Sequence, residues 1–167
     1  MYLNIPSYKI AMDIYPYLQK HRILYREYAH PAVFTVAESD KVTQHVPGMR
    51  TKNLFLRDEA GKFYLVCMPG HERLDLKSLK QYLKVKELKF GTPEELAAEL
   101  HLEPGSVSPL AMIHAKNTKL LVDSKIWEAA EIGVHPNKNT ATLVLTHTAF
   151  ARFCATLSAS WEVLPHA

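Results

Sequence analysis

Apolar and polar positions along this chain alternate mostly in short runs, and a few stretches carry helical spacing instead. Residues 4–19 place Ile10, Met12, Ile14, Tyr15 and Leu18 on one side of a helix, with Pro16 expected to kink or divide it. Residues 23–28 read as a strand that His30-Pro31 terminates. A helix is predicted over 35–45, with Thr35 as N-cap and Glu38 completing a capping box. Residues 52–57 and 62–68 are two strands joined through Asp58-Glu59-Ala60-Gly61. Asp75 caps a basic amphipathic helix over 76–83, and a short strand follows at 86–90. Thr92-Pro93-Glu94-Glu95 is a helix start, with proline at the first helical position and two acids on the positive end of the dipole. Strands are expected at 110–114, 120–122, 141–145 and 159–163. Helices are expected at 124–130, with Gly133 marking the exit, and at 148–154. The order does not alternate cleanly between strand and helix, which disfavours a doubly wound parallel sheet. The expectation is an α/β (α+β) fold: a single mixed, strongly curved sheet with helices packed around it.

A length of 167 residues fits a single domain, with residues 1–22 as an N-terminal helical extension. The apolar share of 47% supplies a sizeable core, since a chain of this size buries roughly 70% of its unfolded surface. No run approaches the roughly 20 apolar residues of a membrane span. No basic-then-apolar leader opens the chain, so a cytoplasmic location is the default expectation. Cys67 and Cys154 form no CxxC pair, and the nine histidines show no HExxH spacing. Neither a metal nor another cofactor is expected.

Charge changes the picture only locally. The net charge is +3, but residues 50–89 hold ten Lys/Arg against five Asp/Glu, leaving −2 for the rest. Such a basic band suits a partner carrying phosphates, or else is a solvated helix face.

Three segments carry candidate chemistry. Lys52 begins an apolar strand, where it is either solvated or a point charge meeting a phosphate or a carboxylate-like oxygen. Gly105-Ser106-Val107-Ser108-Pro109 is either a helix-to-strand connector or a rigid bend whose free N–H groups clamp a ligand carbonyl. Ser106 and Ser108 lie in no GxSxG elbow, so a serine hydrolase is poorly supported. His135-Pro136-Asn137, with Asn139, is either an ordinary turn or a pocket wall with fixed donors and acceptors. His30 and His71 read as turn residues near such a site.

In order and spacing, these segments resemble the YbaK/prolyl-tRNA synthetase-associated editing domain family. The match runs through His30-Pro31, Lys52-Asn53-Leu54-Phe55-Leu56, Gly105 to Pro109 and His135-Pro136-Asn137. It is strongest with the free-standing alanyl-tRNA(Pro) deacylases and covers residues 23–154. The resemblance implies hydrolysis of the ester joining a wrong amino acid to the 3′ end of tRNA, with tRNA(Pro) and possible contact with prolyl-tRNA synthetase as partners. It assigns the activity-linked lysine to Lys52. The Gly105 loop, including Ser106, Val107, Ser108 and Pro109, would hold the 3′ adenosine and the aminoacyl carbonyl. His135 and Asn137 would shape the amino-acid pocket, with His30, Asn53 and Pro136 as further substrate-binding candidates. Lys138 stands where the family pattern leads one to expect a small or apolar residue. Related deacylases acting on Cys-tRNA(Pro) or seryl esters, and a non-catalytic tRNA- or synthetase-binding module, share much of this pattern.

Overall fold

The computed structural model describes residues 13–166. Fifteen elements occur among them. In chain order they are α1 (Tyr15–Lys20), β1 (Arg26–Ala29), α2 (Val36–Val42), β2 (Met49–Asp58), β3 (Phe63–Pro69) and α3 (Leu76–Leu83). Then follow β4 (Leu88–Phe90), α4 (Pro93–Leu100), a 3₁₀ helix (Pro109–His114), β5 (Thr118–Val122) and α5 (Ser124–Glu128). β6 (Glu131–Val134), β7 (Ala141–Thr146), α6 (His147–Thr156) and β8 (Trp161–Val163) complete the chain. The strands form one mixed sheet in the order β1-β7-β6-β2-β3-β5-β8, with β4 also bonded to β2. The β2–β6, β3–β5 and β5–β8 pairs are parallel and the others antiparallel.

The central strands are buried on both faces, and period-two alternation divides their side chains between two cores. Phe55, Leu65, Cys67, Leu120 and Val122 enter the larger core with residues of α1, α4, the 3₁₀ helix, α5 and α6. Leu56, Tyr64, Val66, Met68 and Leu121 face the opposite way, against Leu79 of α3. Helices therefore cover both faces.

β2 positions the site. β3 holds one of its edges from Thr51 to Arg57. On the other edge, Met49 and Arg50 pair with β6, and Leu56 to Asp58 pair with β4. Among the described residues, the intervening ones have no ladder partner on that edge. Local bonds flank the gap: the Thr51 hydroxyl donates to Gly133 O at 2.7 Å, and Gly91 N–H donates to Phe55 O at 2.9 Å. This break in the sheet is the frame of the candidate site.

Several sequence expectations are corrected. Residues 110–114 are a 3₁₀ helix, not a strand. Pro109 opens it and the Ser108 hydroxyl accepts from Leu110 N–H, a helix-start arrangement hidden inside an apolar run. Gly133 lies within β6 rather than at a helix exit. A Cβ there would sit 3.0 Å from Thr142 Cγ2 of β7, so close strand approach explains this glycine. β1 begins at Arg26, because Ile23 turns into the larger core. α2 ends at Val42. Its N-cap Thr35 accepts from Glu38 N–H, but the Glu38 carboxylate reaches back to Phe34 N–H, one residue earlier than a capping box requires. The full box forms at Thr92 and Glu95. Of the predicted N-terminal helix, residues 4–12 lie outside the described residues. In α1, Pro16 occupies the first turn, where it costs no hydrogen bond, and Ile14 and Leu18 join the larger core.

Candidate active site

The break in β2's edge opens into a cavity of about 220 Å³. Five segments wall it, one of them the chain leaving β3 at Gly70. The chain entering α2 supplies Val33, Phe34 and Thr35, and α2 itself supplies Ser39 and Asp40. β2 supplies Arg50 to Asn53. Gly105 and Val107 come from the loop after α4, and His135 comes from the turn between β6 and β7. Lys52, Asn53, Gly105, Val107 and His135, far apart in sequence, thus line one cavity.

Two cations of β2 stand in different electrostatic settings. Arg50 forms an ion pair with Asp40, which also lies 3.5 Å from His71 Nε2. Lys52 is half-buried, and its ammonium takes part in no hydrogen bond or salt bridge among the described residues. A partly desolvated amine without a counter-charge favours an anionic or strongly polarised oxygen ligand.

The loop presents backbone donors. Gly105 has φ +88°, a conformation open to glycine and strained for other residues. Ser106 N–H is used internally, donating to Glu103 O at 3.1 Å. Ser108 is buried and serves as the cap of the 3₁₀ helix, and Pro109 is buried behind it. The N–H groups of Gly105 and Val107 have no protein partner among the described residues, and both residues border the cavity.

The turn at His135 is fixed from behind. His135 Nδ1 lies 3.2 Å from Ala141 O. A carbonyl only accepts, so Nδ1 carries the proton and the neutral ring keeps Nε2 as an acceptor. Burial lowers the pKa of His135, the bond to Ala141 opposes this, and the nearby His30 lowers it further. His30 does not line the cavity. It is buried, its Nδ1 donates to Pro31 O, and the Thr142 hydroxyl donates to its Nε2, both at 2.9 Å. Pro136 and Asn137 are buried behind the wall, and Asn137 adopts φ +60°, which asparagine tolerates. Among the described residues, neither amide atom of Asn137 has a protein partner, nor does the buried Asn53 Oδ1. Asn139 Nδ2 donates to Val33 O at 3.1 Å and ties this turn to the chain entering α2. Lys138 is exposed, with its ammonium 5.5 Å from the centre of the Tyr15 ring, outside the cavity wall.

A stability prediction follows from His135. Its folded pKa lies below the unfolded value of about 6.5, so the unfolded chain binds more protons in the window between the two. Its contribution is fully present above the unfolded value and is lost as pH falls through the folded one. His135→Asn keeps a donor near Ala141 O but cannot titrate. The fall in melting temperature from pH 7 to pH 5 should be smaller in this variant than in the wild type. Parallel melting curves would contradict the assignment.

Sequence reading missed the contribution of residues 33–40 and of Arg50. A usable signal existed, because strand alternation puts Arg50 on the same face as Lys52. Both cysteines are excluded from the chemistry. They are buried, and burial raises both thiol pKa values, that of Cys154 to about 12.

The fold is shared with known proteins. Residues 30–153 match the model of the aminoacyl-tRNA editing domain family. The prolyl-tRNA editing protein ProX of Acetoanaerobium sticklandii is 32% identical over 133 residues, covering 78% of this chain and 81% of its own. A prolyl-tRNA synthetase associated domain-containing protein 1 of Danio rerio is 32% identical over 128 residues, covering 74% of this chain and 70% of its own. Among solved structures, a proposed trans-editing enzyme for prolyl tRNA synthetase superposes with a TM-score of 0.71 at 20% identity. That match covers 99% of this chain and 100% of the other. The chain belongs to the aminoacyl-tRNA editing domain family.

Proposed function

We propose that this protein is a trans-editing deacylase working alongside prolyl-tRNA synthetase. It hydrolyses the ester between a wrong amino acid and the 3′ end of tRNA(Pro), with alanine as the preferred acid. The observation that carries this reading is the meeting of Lys52, the free N–H groups of Gly105 and Val107, and His135 around one small cavity in a chain of the editing family.

The chemistry asks little of the protein. An aminoacyl ester is already activated, so hydrolysis needs a positioned water and stabilisation of the developing oxyanion. The backbone donors of Gly105 and Val107 suit the oxyanion, and Lys52 adds a positive charge beside it. The neighbouring ribose hydroxyl of the substrate helps orient the water. His135, held as the Nε2-acceptor tautomer, offers a fixed acceptor to the substrate's ammonium group or to the water. No covalent intermediate is required. The cavity is smaller than the roughly 300–1,000 Å³ of sites that enclose drug-sized ligands, in keeping with a short acyl group. Size selection of this kind removes a smaller acid that a synthetase binds too well, and spares proline.

A deacylation panel tests the proposal. Purified protein should release alanine from Ala-tRNA(Pro) faster than it releases cysteine or serine from the corresponding esters, and should leave Pro-tRNA(Pro) intact. Rates at the buffer level for all of the mischarged esters would refute it.

A further inference from the structure

We infer that Phe90, with Lys52 and Arg73, seats the unpaired nucleotides at the 3′ end of the tRNA, on the α3 side of the sheet and outside the ester cavity. This rests on the function proposed above and adds how the RNA is held.

Strand alternation puts Lys52, Leu54 and Leu56 on one face of β2, and register sets Phe90 of β4 directly opposite Leu56. Leu56 is fully buried under α3, whereas Phe90 is 61% exposed at the rim. The backbone fixes it there. A Cβ on Gly91 would fall 2.4 Å from the Phe55 ring, so the chain leaving Phe90 passes tightly over Phe55. Lys52, Leu54, Arg73, Leu74 and Phe90 line a hollow on this face. Lys52 borders both this hollow and the ester cavity, and Phe90 also borders the groove that reaches Gly105, so the two spaces adjoin.

Charge selects the occupant. Arg73 and Lys52 enter no ion pair among the described residues, unlike Arg50, Arg57 and Lys89. The carboxylate of the hollow, Asp75, is engaged at the N-terminus of α3, accepting from Ser78 N–H at 3.0 Å and from the Ser78 hydroxyl at 2.7 Å. An exposed aromatic face beside two uncompensated cations is the combination that holds single-stranded nucleic acid, by stacking and by phosphate contact. A duplex offers no free base face to Phe90, and an apolar protein segment would leave both cations buried without partners. Unpaired nucleotides satisfy all three side chains.

Binding of two unacylated RNA hairpins, one with an unpaired 3′ tail and one blunt, tests the inference by fluorescence anisotropy. Wild type should prefer the tailed hairpin. Phe90→Leu should weaken tailed binding by about 5- to 150-fold, as expected for the loss of one stacked base, and leave blunt binding unchanged. Phe90→Trp should retain it. Leu24→Ala removes a still more exposed apolar residue, just ahead of β1 and three strands from β2, and should have no effect. Arg73→Ala should reduce the salt slope for the tailed hairpin by about one. Equal tailed binding by wild type and Phe90→Leu, or equal loss on both hairpins, would overturn the assignment. Hydrolysis by the wild type with normal binding by Phe90→Leu would remove only this inference. Absence of hydrolysis by the wild type would remove the proposed function itself.

Discussion

Lys52→Ala is expected to lower kcat for Ala-tRNA(Pro) by about 10²- to 10³-fold, the usual cost of removing one preorganised group from a developing oxyanion. The fold should survive, because Lys52 is half-buried and no bond among the described residues is lost with it. Its backbone keeps the β3 register opposite Met68. Lys52→Arg should not restore the rate. The guanidinium is planar and broader than a compact ammonium, and Arg50 already occupies the neighbouring position on that face. Single-turnover deacylation with unchanged thermal unfolding is the measurement. A kcat within a few-fold of wild type would remove Lys52 from the chemistry.

Gly105→Ala should be the second severe change, for a geometric reason. The residue sits at φ +88°, and an added Cβ would lie 3.3 Å from Phe34 Cδ1. The left-handed conformation alone costs a non-glycine residue roughly 1–2 kcal/mol. The loop relieves this strain by tilting, which moves the N–H groups of Gly105 and Val107 away from the ester. A displacement near 1 Å is enough to cost about 10²-fold in rate. Adding Phe34→Ala should relieve the side-chain contact but not the dihedral strain, so activity returns only in part. Full recovery in the double variant would show that crowding by Phe34, not backbone geometry, controls the loop.

Strands 52–57 and 62–68 and the helices at 76–83 and 93–100 were readable because their signals are local. Alternation, the Asp75 cap and the Thr92–Glu95 box each act within a few residues. Residues 110–114 were not readable, because Leu110-Ala111-Met112 is buried all round and carries no period. Gly133 misled because its reason, the approach of Thr142 from β7, is non-local. The members of the site could be named from ordered motifs, but their convergence could not. It depends on β6 and β4 sharing one edge of β2 and leaving a gap between them, which is a property of long-range pairing. For the same reason His30 reads in sequence as a site residue, whereas its ring is occupied by Pro31 and Thr142 behind the wall. Phe34 carries no local signal, because the chain entering α2 meets the gap only once the sheet is assembled, whereas Arg50 shares its strand face with Lys52.

The central claim is that the Lys52 amine and the Gly105 bend act on one and the same bound ester. A double-mutant cycle tests it most directly, with single-turnover deacylation of Ala-tRNA(Pro) by wild type, Lys52→Ala, Gly105→Ala and the double variant. Groups that serve one transition state are strongly non-additive. The double variant should therefore be little slower than the slower single variant. Losses that multiply in full would place the two elements in independent roles and contradict the account.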